Sequence, residues 1–132
     1  MRMFYNADPY DVIKDLEENS VDLMFVEASK LYKQNWYVDY YRVLKEEGVI
    51  VFFRSRDGEK EILDIIRNEN GKTIIIVSPS NRDVRNIIDK YSNEGDMVLD
   101  TNIGSGEVGS YCVKKNRGYI GIKENFDTFD QG

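Results

Sequence analysis

Short apolar runs alternate along the chain with longer segments in which apolar residues recur every three or four positions. Nearly continuous apolar runs are typical of strands buried on both faces of a parallel sheet, and the longer period is typical of amphipathic helices. We predict strands over residues 2–7, 21–27, 48–54, 73–78, 97–100 and 118–123. We predict helices over residues 11–18, 31–47, 59–68 and 83–90, and from Glu107 onward. The pattern therefore predicts a doubly wound α/β fold with one mostly parallel sheet of about six strands.

One turn stands out because it follows a short apolar strand that ends in an acid. Residues 97–100 end at Asp100, and the chain continues through Gly104, Ser105 and Gly106 into a helical segment. Glycine lacks a Cβ atom, so such a turn lets the backbone bend tightly and approach a ligand closely. In open α/β sheets, ligands bind at the carboxyl ends of the strands, where such turns lie. A plain strand-to-helix turn is the alternative that this segment alone leaves open.

Two segments carry a resemblance to a known family. Residues 91–106 read Tyr-Ser-Asn-Glu-Gly-Asp-Met-Val-Leu-Asp-Thr-Asn-Ile-Gly-Ser-Gly, and residues 116–122 read Asn-Arg-Gly-Tyr-Ile-Gly-Ile. They resemble the cofactor half of the permuted DNA amino-methyltransferases, which transfer a methyl group from S-adenosylmethionine (SAM) to adenine N6 or cytosine N4. The similarity covers nearly the whole chain, with the catalytic half before the cofactor half. It implies a SAM-methyltransferase-like Rossmann fold with strand order 3-2-1-4-5 plus an edge strand, and strand 97–100 beside strand 21–27.

The resemblance also implies a SAM site, which the sequence alters at one position. Family proteins usually have Glu at the position of Lys123, where the carboxylate bridges the two ribose hydroxyls of SAM. An ammonium group accepts no hydrogen bonds, so we expect SAM binding to be weak or lost, and Lys123→Glu to tighten it. Asp100 is expected to face the ammonium group of SAM, and Asp8 its adenine or ribose side. The cofactor-binding residues implied are Asp8, Asp100, Thr101, Gly104, Ser105, Gly106 and Lys123.

The catalytic segment departs further from the family pattern. The family has Asp-Pro-Pro-Tyr after the strand that corresponds to residues 21–27, and this chain has Glu27, Ala28, Ser29 and Lys30. In the family, the acid and a neighbouring carbonyl hold the target amino group, the prolines shape the loop, and the ring stacks on the flipped base. Because such geometry must be held tightly, loss of both prolines and the ring predicts inactivity as a DNA methylase.

A second departure is the short connection before the helix over residues 83–90. Family members carry a target-recognition domain near this point, and the sequence has only Ser78-Pro79-Ser80 and a few neighbours. We therefore predict one minimal methyltransferase-like domain over residues 1–132. Trp36 and Tyr40 in the preceding half fit either a base-stacking platform or core packing, and the usual behaviour of these residue types favours core packing.

Composition narrows the classes of function. The chain has 132 residues, no His, one Cys and a net charge of −6. The absence of His excludes an imidazole base and a His-ligated metal site, and we predict no metal. The single Cys112 excludes an internal disulfide and, with no signal peptide or membrane-length apolar run, predicts a cytoplasmic protein. The acidic balance counts against DNA binding through phosphates.

Two functional interpretations follow from these observations. The first is a degenerate methyltransferase-fold protein with a remnant SAM pocket and a binding or interaction role, through a homodimer or another protein partner. The second is an active SAM-dependent methyltransferase acting on adenine N6 or cytosine N4, with a partner subunit that supplies target recognition. A small nucleotide-binding protein that kept only the pocket at Gly104 to Gly106 is a third, weaker alternative.

Overall fold

The structure is a computed structural model, and it describes residues 2–31, 34–69, 72–76 and 83–123. In chain order its elements are β1 (Arg2–Asn6), α1 (Pro9–Ile13), β2 (Val21–Glu27), a 3-10 turn (Ala28–Lys30), α2 (Trp36–Val43), β3 (Leu44–Arg56), β4 (Glu59–Glu69), β5 (Lys72–Ile76), α3 (Val84–Tyr91), β6 (Met97–Asp100), α4 (Glu107–Lys114) and β7 (Gly118–Lys123). Within the described ranges, seven strands form one sheet in the order β1-β7-β6-β2-β3-β4-β5.

The sheet is mostly parallel and has a hydrophobic core on each face. Strands β1, β7, β6, β2 and β3 are parallel, while β4 and β5 are antiparallel additions at one edge. Leu23 of β2 lies opposite Val98 of β6, as the implied strand order requires. One core cluster packs under α3 and α4, and the other packs under α1 and α2. The predicted doubly wound α/β fold is confirmed.

The predicted helix over residues 59–68 is wrong, because this segment is strand β4, which pairs with β3. A β-bulge explains the error. Asp64 lies opposite Phe52 but Ile62 lies opposite Phe53, so one extra residue, Leu63, interrupts the ladder. Ile62 and Ile65 consequently reach the same core cluster, although alternation along a regular strand would separate them. Their three-residue spacing imitates the period of a helix.

The turn between β3 and β4 carried the signal for a hairpin. Asp57 and Gly58 have φ angles of 54° and 80°. Positive φ at both central residues defines a type I′ turn, whose right-handed twist matches that of paired strands. Asp-Gly is a preferred pair for this turn, so this dipeptide outweighs the apparent helical period that follows it.

The predicted helix over residues 31–47 is too long. Helix α2 ends at Val43, and Leu44 already pairs with Val21 of β2. Glu47 has a φ angle of 67°, which a right-handed helix does not allow. Gly48 therefore lies within β3 rather than at a helix end.

Three other predicted boundaries differ from the structure or fall partly outside it. Helix 11–18 is limited to α1, which begins at Pro9. Strand 48–54 extends over all of β3. The part of strand 73–78 beyond Ile76, and the segment Ser78-Pro79-Ser80, lie outside the described residues.

The aromatic residues of α2 belong largely to the core. Tyr40 is 1% exposed, and the ring of Trp36 packs against the rings of Tyr40 and Phe52 at centroid distances of 5.6 and 5.8 Å. Tyr37 remains exposed on the outer side of the helix. In the part of the chain that the structure describes, no helix is both long enough and apolar enough to cross a membrane.

Candidate functional site

The candidate site lies at the carboxyl edge of β2, β6 and β3. Strand β6 is placed between β7, its successor through α4, and β2, whose own successor β3 lies on the far side. The connections from β6 and from β2 therefore lead toward opposite edges of the sheet. A crevice opens at the point where the strand order reverses in this way. Asp100 ends β6 and Glu27 ends β2, so both predicted acids lie at this edge.

The carboxylate of Glu27 is held by a dense set of hydrogen bonds. Its Oε1 atom accepts from the Ser29 hydroxyl at 2.8 Å and the Ser55 amide at 3.4 Å. Its Oε2 atom accepts from the Asn102 side-chain amide at 2.7 Å and the Ser55 hydroxyl at 3.0 Å. Burial alone would raise the pKa of Glu27, but the bonds from Asn102, Ser29 and Ser55 outweigh it and lower this pKa. Glu27 is thus a buried, ionised group.

Residues Ala28, Ser29 and Lys30 form the 3-10 turn that follows Glu27. The turn is closed by the Leu31 amide, which donates to the Ala28 carbonyl at 3.2 Å. Ser29 contributes its hydroxyl to Glu27, and its side chain is otherwise exposed. The structure therefore brings Ser29 to the site through Glu27.

Asp100 is fully buried and paired with a residue that sequence reasoning did not identify. Its Oδ1 atom lies 3.0 Å from the ammonium nitrogen of Lys60, whose side chain is 7% exposed. Its Oδ2 atom accepts from the Tyr119 hydroxyl at 2.9 Å, and Oδ1 also accepts from the Asn102 amide at 3.2 Å. Burial raises the pKa of Asp100, although Lys60, Tyr119 and Asn102 act in the opposite direction. Burial, followed by the charge of Asp100, also raises the pKa of Tyr119, which therefore remains a hydrogen-bond donor.

The glycine turn, residues 101–106 between β6 and α4, is held by hydrogen bonds to β2 and to the β3–β4 turn. The Thr101 hydroxyl accepts from the Glu27 amide at 2.9 Å, which joins the ends of β2 and β6. Gly104 and Gly106 have φ angles of 56° and 87°, where glycine is favoured, and Gly106 precedes the first residue of α4. The Ser105 amide donates to the Gly58 carbonyl of the β3–β4 turn at 3.1 Å.

Asp8 and Lys123 lie at the ends of the neighbouring strands. The side chain of Asp8 accepts from the Tyr10 amide at 2.9 Å and caps α1. Lys123 ends β7 opposite Asn6 of β1, and its side chain is exposed. The predicted site residues therefore form one group around Glu27, Asp100 and the glycine turn, and a second group at the ends of β1 and β7.

Sequence reasoning missed Lys60, Ser55, Asn102 and Tyr119. Asn102 lies inside the glycine turn, two residues after Asp100, so its position in the sequence could have marked it as a candidate. Lys60 was hidden because residues 59–68 were expected to form a helix. Among the described residues, no cluster of acids and Cys could hold a metal ion.

The fold and the site together define a Rossmann-like protein of the methyltransferase type, with an acid and a glycine turn after a central strand. Comparison with known proteins shows which family the chain resembles. The family model N6_N4_Mtase, described as DNA methylase, matches residues 80–131. A probable type III restriction-modification enzyme HindVI Mod subunit from Haemophilus influenzae is 30% identical over 129 residues, which cover 94% of this chain. These similarities support a relation of the chain to the N6/N4 DNA methyltransferase family.

Solved structures agree on the fold. The crystal structure of M1.HpyAVI superposes with a TM-score of 0.68 at 20% identity and covers 98% of this chain and 96% of that one. The crystal structure of TTHA0409 from Thermus thermophilus superposes with a TM-score of 0.66 at 10% identity and covers 98% and 92%. In contrast, the chain spans 14% of the length of the Mod subunit.

Proposed function

We propose that this chain is a degenerate methyltransferase-fold protein that does not methylate DNA, and that it acts as a binding or interaction module with a remnant SAM pocket. One observation carries the proposal, namely the saturation of the Glu27 carboxylate. A carboxylate offers about four acceptor sites. Four donor atoms from Ser29, Ser55 and Asn102 occupy those of Glu27. No acceptor is left to orient a target amino group.

The residues beside Glu27 support the same proposal. An amino group that is to be methylated must be held in line with the methyl donor within a fraction of an ångström. Ala28 and Ser29 replace two prolines that would fix the loop, and Lys30 offers no ring on which a base could stack. The connection between Ile76 and Val84 has seven residues, which leaves no recognition domain at this point of the chain.

The alternative is an active SAM-dependent methyltransferase whose target recognition comes from a partner subunit. Two observations favour it. Asp100 and the glycine turn are retained, and both M1.HpyAVI and TTHA0409 have been crystallised with SAM. In such an enzyme, Glu27 would have to release some of its present hydrogen-bond donors in order to accept from a target base. The released donors would then be left without an acceptor, which costs free energy.

A methyl-transfer assay separates the two proposals. The chain is incubated with tritiated SAM and mixed-sequence DNA, beside a Glu27→Gln variant and an active DNA methylase as positive control. We expect incorporation at the level of the protein-free blank for both chains. Incorporation by the native chain that Glu27→Gln abolishes would overturn the proposal.

The interaction role requires a partner, and we infer a second copy of this chain or another protein rather than DNA. The net charge of −6 opposes association with phosphates. The side chain of Phe4 is 62% exposed on β1, an edge strand whose open side can pair with another chain. Because Cys112 is free and buried, a reducing compartment such as the cytoplasm fits the chain.

A further inference from the structure

The tip of the β3–β4 hairpin lies in the crevice at the carboxyl end of β6. The carbonyl of Gly58 accepts a hydrogen bond from the Ser105 amide at 3.1 Å. The approach is so close that a Cβ atom added to Gly104 would lie 2.9 Å from the same carbonyl oxygen. The close backbone approach that the glycine turn permits is therefore used by the protein's own hairpin.

The start of β4 extends this contact into the core of the crevice. Lys60, two residues beyond Gly58, places its ammonium nitrogen 3.0 Å from Asp100. The same nitrogen donates to the carbonyl of Asn102 and lies 4.5 Å from the centre of the Phe53 ring. A carboxylate, a carbonyl and an aromatic face thus surround one ammonium group, which is a complete site for a cation.

These contacts reproduce the chemistry that an amino-acid ligand would use. Such a ligand carries an ammonium group for a carboxylate and oxygen atoms for free backbone amides. Here Asp100 binds the ammonium of Lys60, and the Ser105 amide binds the oxygen of Gly58. We propose that the hairpin tip is a tethered occupant of this crevice, with Lys60 where the ammonium group of SAM would pair with Asp100, and that it competes with SAM. The inference rests on the proposed function, because it takes the crevice to be the remnant SAM pocket.

A tethered occupant competes efficiently with a free ligand. Because the Asp57-Gly58 turn joins Lys60 to β3, whose Ser55 contacts Glu27 in the same crevice, the effective concentration of the Lys60 ammonium group at Asp100 is at least of millimolar order. SAM can bind only in the fraction of molecules whose hairpin tip has left, and its apparent affinity falls by that fraction. This effect is independent of Lys123, which acts at the end of β7.

The test is a calorimetric titration of SAM into the native chain, Lys60→Ala and Lys45→Ala. Lys45 is the matched control, because it forms an ion pair with Asp22 at 3.2 Å at the opposite end of the sheet. We expect Lys60→Ala to bind SAM at least about tenfold more tightly than the native chain, and Lys45→Ala to bind like the native chain. A folded Lys60→Ala variant with unchanged SAM affinity would refute the inference.

Lys60→Gln serves if the alanine variant does not fold. Its amide can still donate to Asp100 and Asn102, so the buried acceptors keep a partner while the competing charge is removed. We expect a smaller gain in SAM affinity than for Lys60→Ala, and no gain contradicts the inference. The methyl-transfer assay reports on the proposed function separately. Methyl incorporation into DNA by the native chain refutes the proposal that the protein is an inactive module. If no methyl group is incorporated and neither Lys60 variant gains SAM affinity, only the proposal of a tethered occupant is refuted.

Discussion

The pairing of Lys60 with Asp100 shows how one side chain can occupy the charge of another that was expected to bind a ligand. An acid after a central strand and before a glycine turn was expected to face a ligand. In the structure, its charge is balanced by an ammonium group of the same chain. A buried ion pair contributes little net stability, since both groups lose their hydration, but removal of one partner leaves the other unpaired.

Replacement of Lys60 by Ala should therefore be costly. We expect the free energy of unfolding at neutral pH to fall by about 3–5 kcal/mol, because the buried Asp100 carboxylate loses its counter-ion. Lys45→Ala removes a partly exposed pair and should cost no more than about 1 kcal/mol. Urea denaturation measures both values.

The pH dependence of this loss provides a further check. Without Lys60, the pKa of Asp100 should rise further, because burial then acts with less opposition. Protonation at lower pH removes the unpaired charge, so the deficit of Lys60→Ala should shrink as the pH falls. Equal losses for Lys60→Ala and Lys45→Ala at neutral pH would show that the pair is not desolvated.

Glu27 should affect stability with the opposite pH profile. Its pKa is lower in the folded chain than the ordinary value of 4.5, since bonds from Asn102, Ser29 and Ser55 favour the charged form over the effect of burial. Its contribution is therefore complete above the unfolded pKa and is lost as the pH falls through the folded one. We expect Glu27→Gln to weaken the loss of stability on acidification, measured by urea denaturation from about pH 6 to pH 3. An unchanged acid slope would contradict the hydrogen-bonded carboxylate.

At the scale of elements, the β3–β4 hairpin decides both the architecture and the state of the crevice. Its bulge at Leu63 gave the segment a helix-like period, while its Asp57-Gly58 turn specified a hairpin. Only the turn sequence predicted the structure correctly. The positive φ angles of a type I′ turn restrict the residue types strictly, whereas a bulge can shift the spacing of apolar residues along a strand. The side chains around Lys60 could not be inferred without this hairpin.

The turn itself offers a direct test. A Cβ atom on Gly58 would meet no neighbour within 4 Å, so any cost of Gly58→Ala comes from its φ angle of 80°. We expect a loss of about 1–2 kcal/mol of unfolding free energy. Asp57→Asn is the control, because Asn tolerates positive φ, and its stability should match that of the native chain. A neutral Gly58→Ala would mean that the turn adopts another conformation.

At the scale of the whole molecule, the order of the parallel strands was predictable from the sequence. The antiparallel pairing of β4 and β5 at one edge of the sheet was not. Residues 91–106 and 116–122 resemble a family closely enough to imply the neighbours of β6, and the parallel ladders agree. The predicted roles of Glu27 to Lys30 and of Lys123 remain predictions. Long-range contacts such as Ser55 with Glu27 depend on how the strands end, which the apolar pattern does not specify.

We also expect self-association through the edge strand β1. Phe4 and Val113 are 62% and 43% exposed and line the same groove beside this strand. Multi-angle light scattering over a concentration series should give a mass that rises above 15.4 kDa, and Phe4→Lys should shift this rise to higher concentration. A constant monomer mass for the native chain would exclude the homodimer.

The order of the strands also has a consequence for the time course of folding. Arg2 pairs with Tyr119 and Leu23 pairs with Val98, so β1 finds β7, and β2 finds its second neighbour β6, only after most of the chain has been made. Parallel pairings between distant segments form slowly, whereas the β3–β4 hairpin is local and can form early. The strand that carries Glu27 therefore waits for β6, and during this interval its open edge is exposed to other nascent chains.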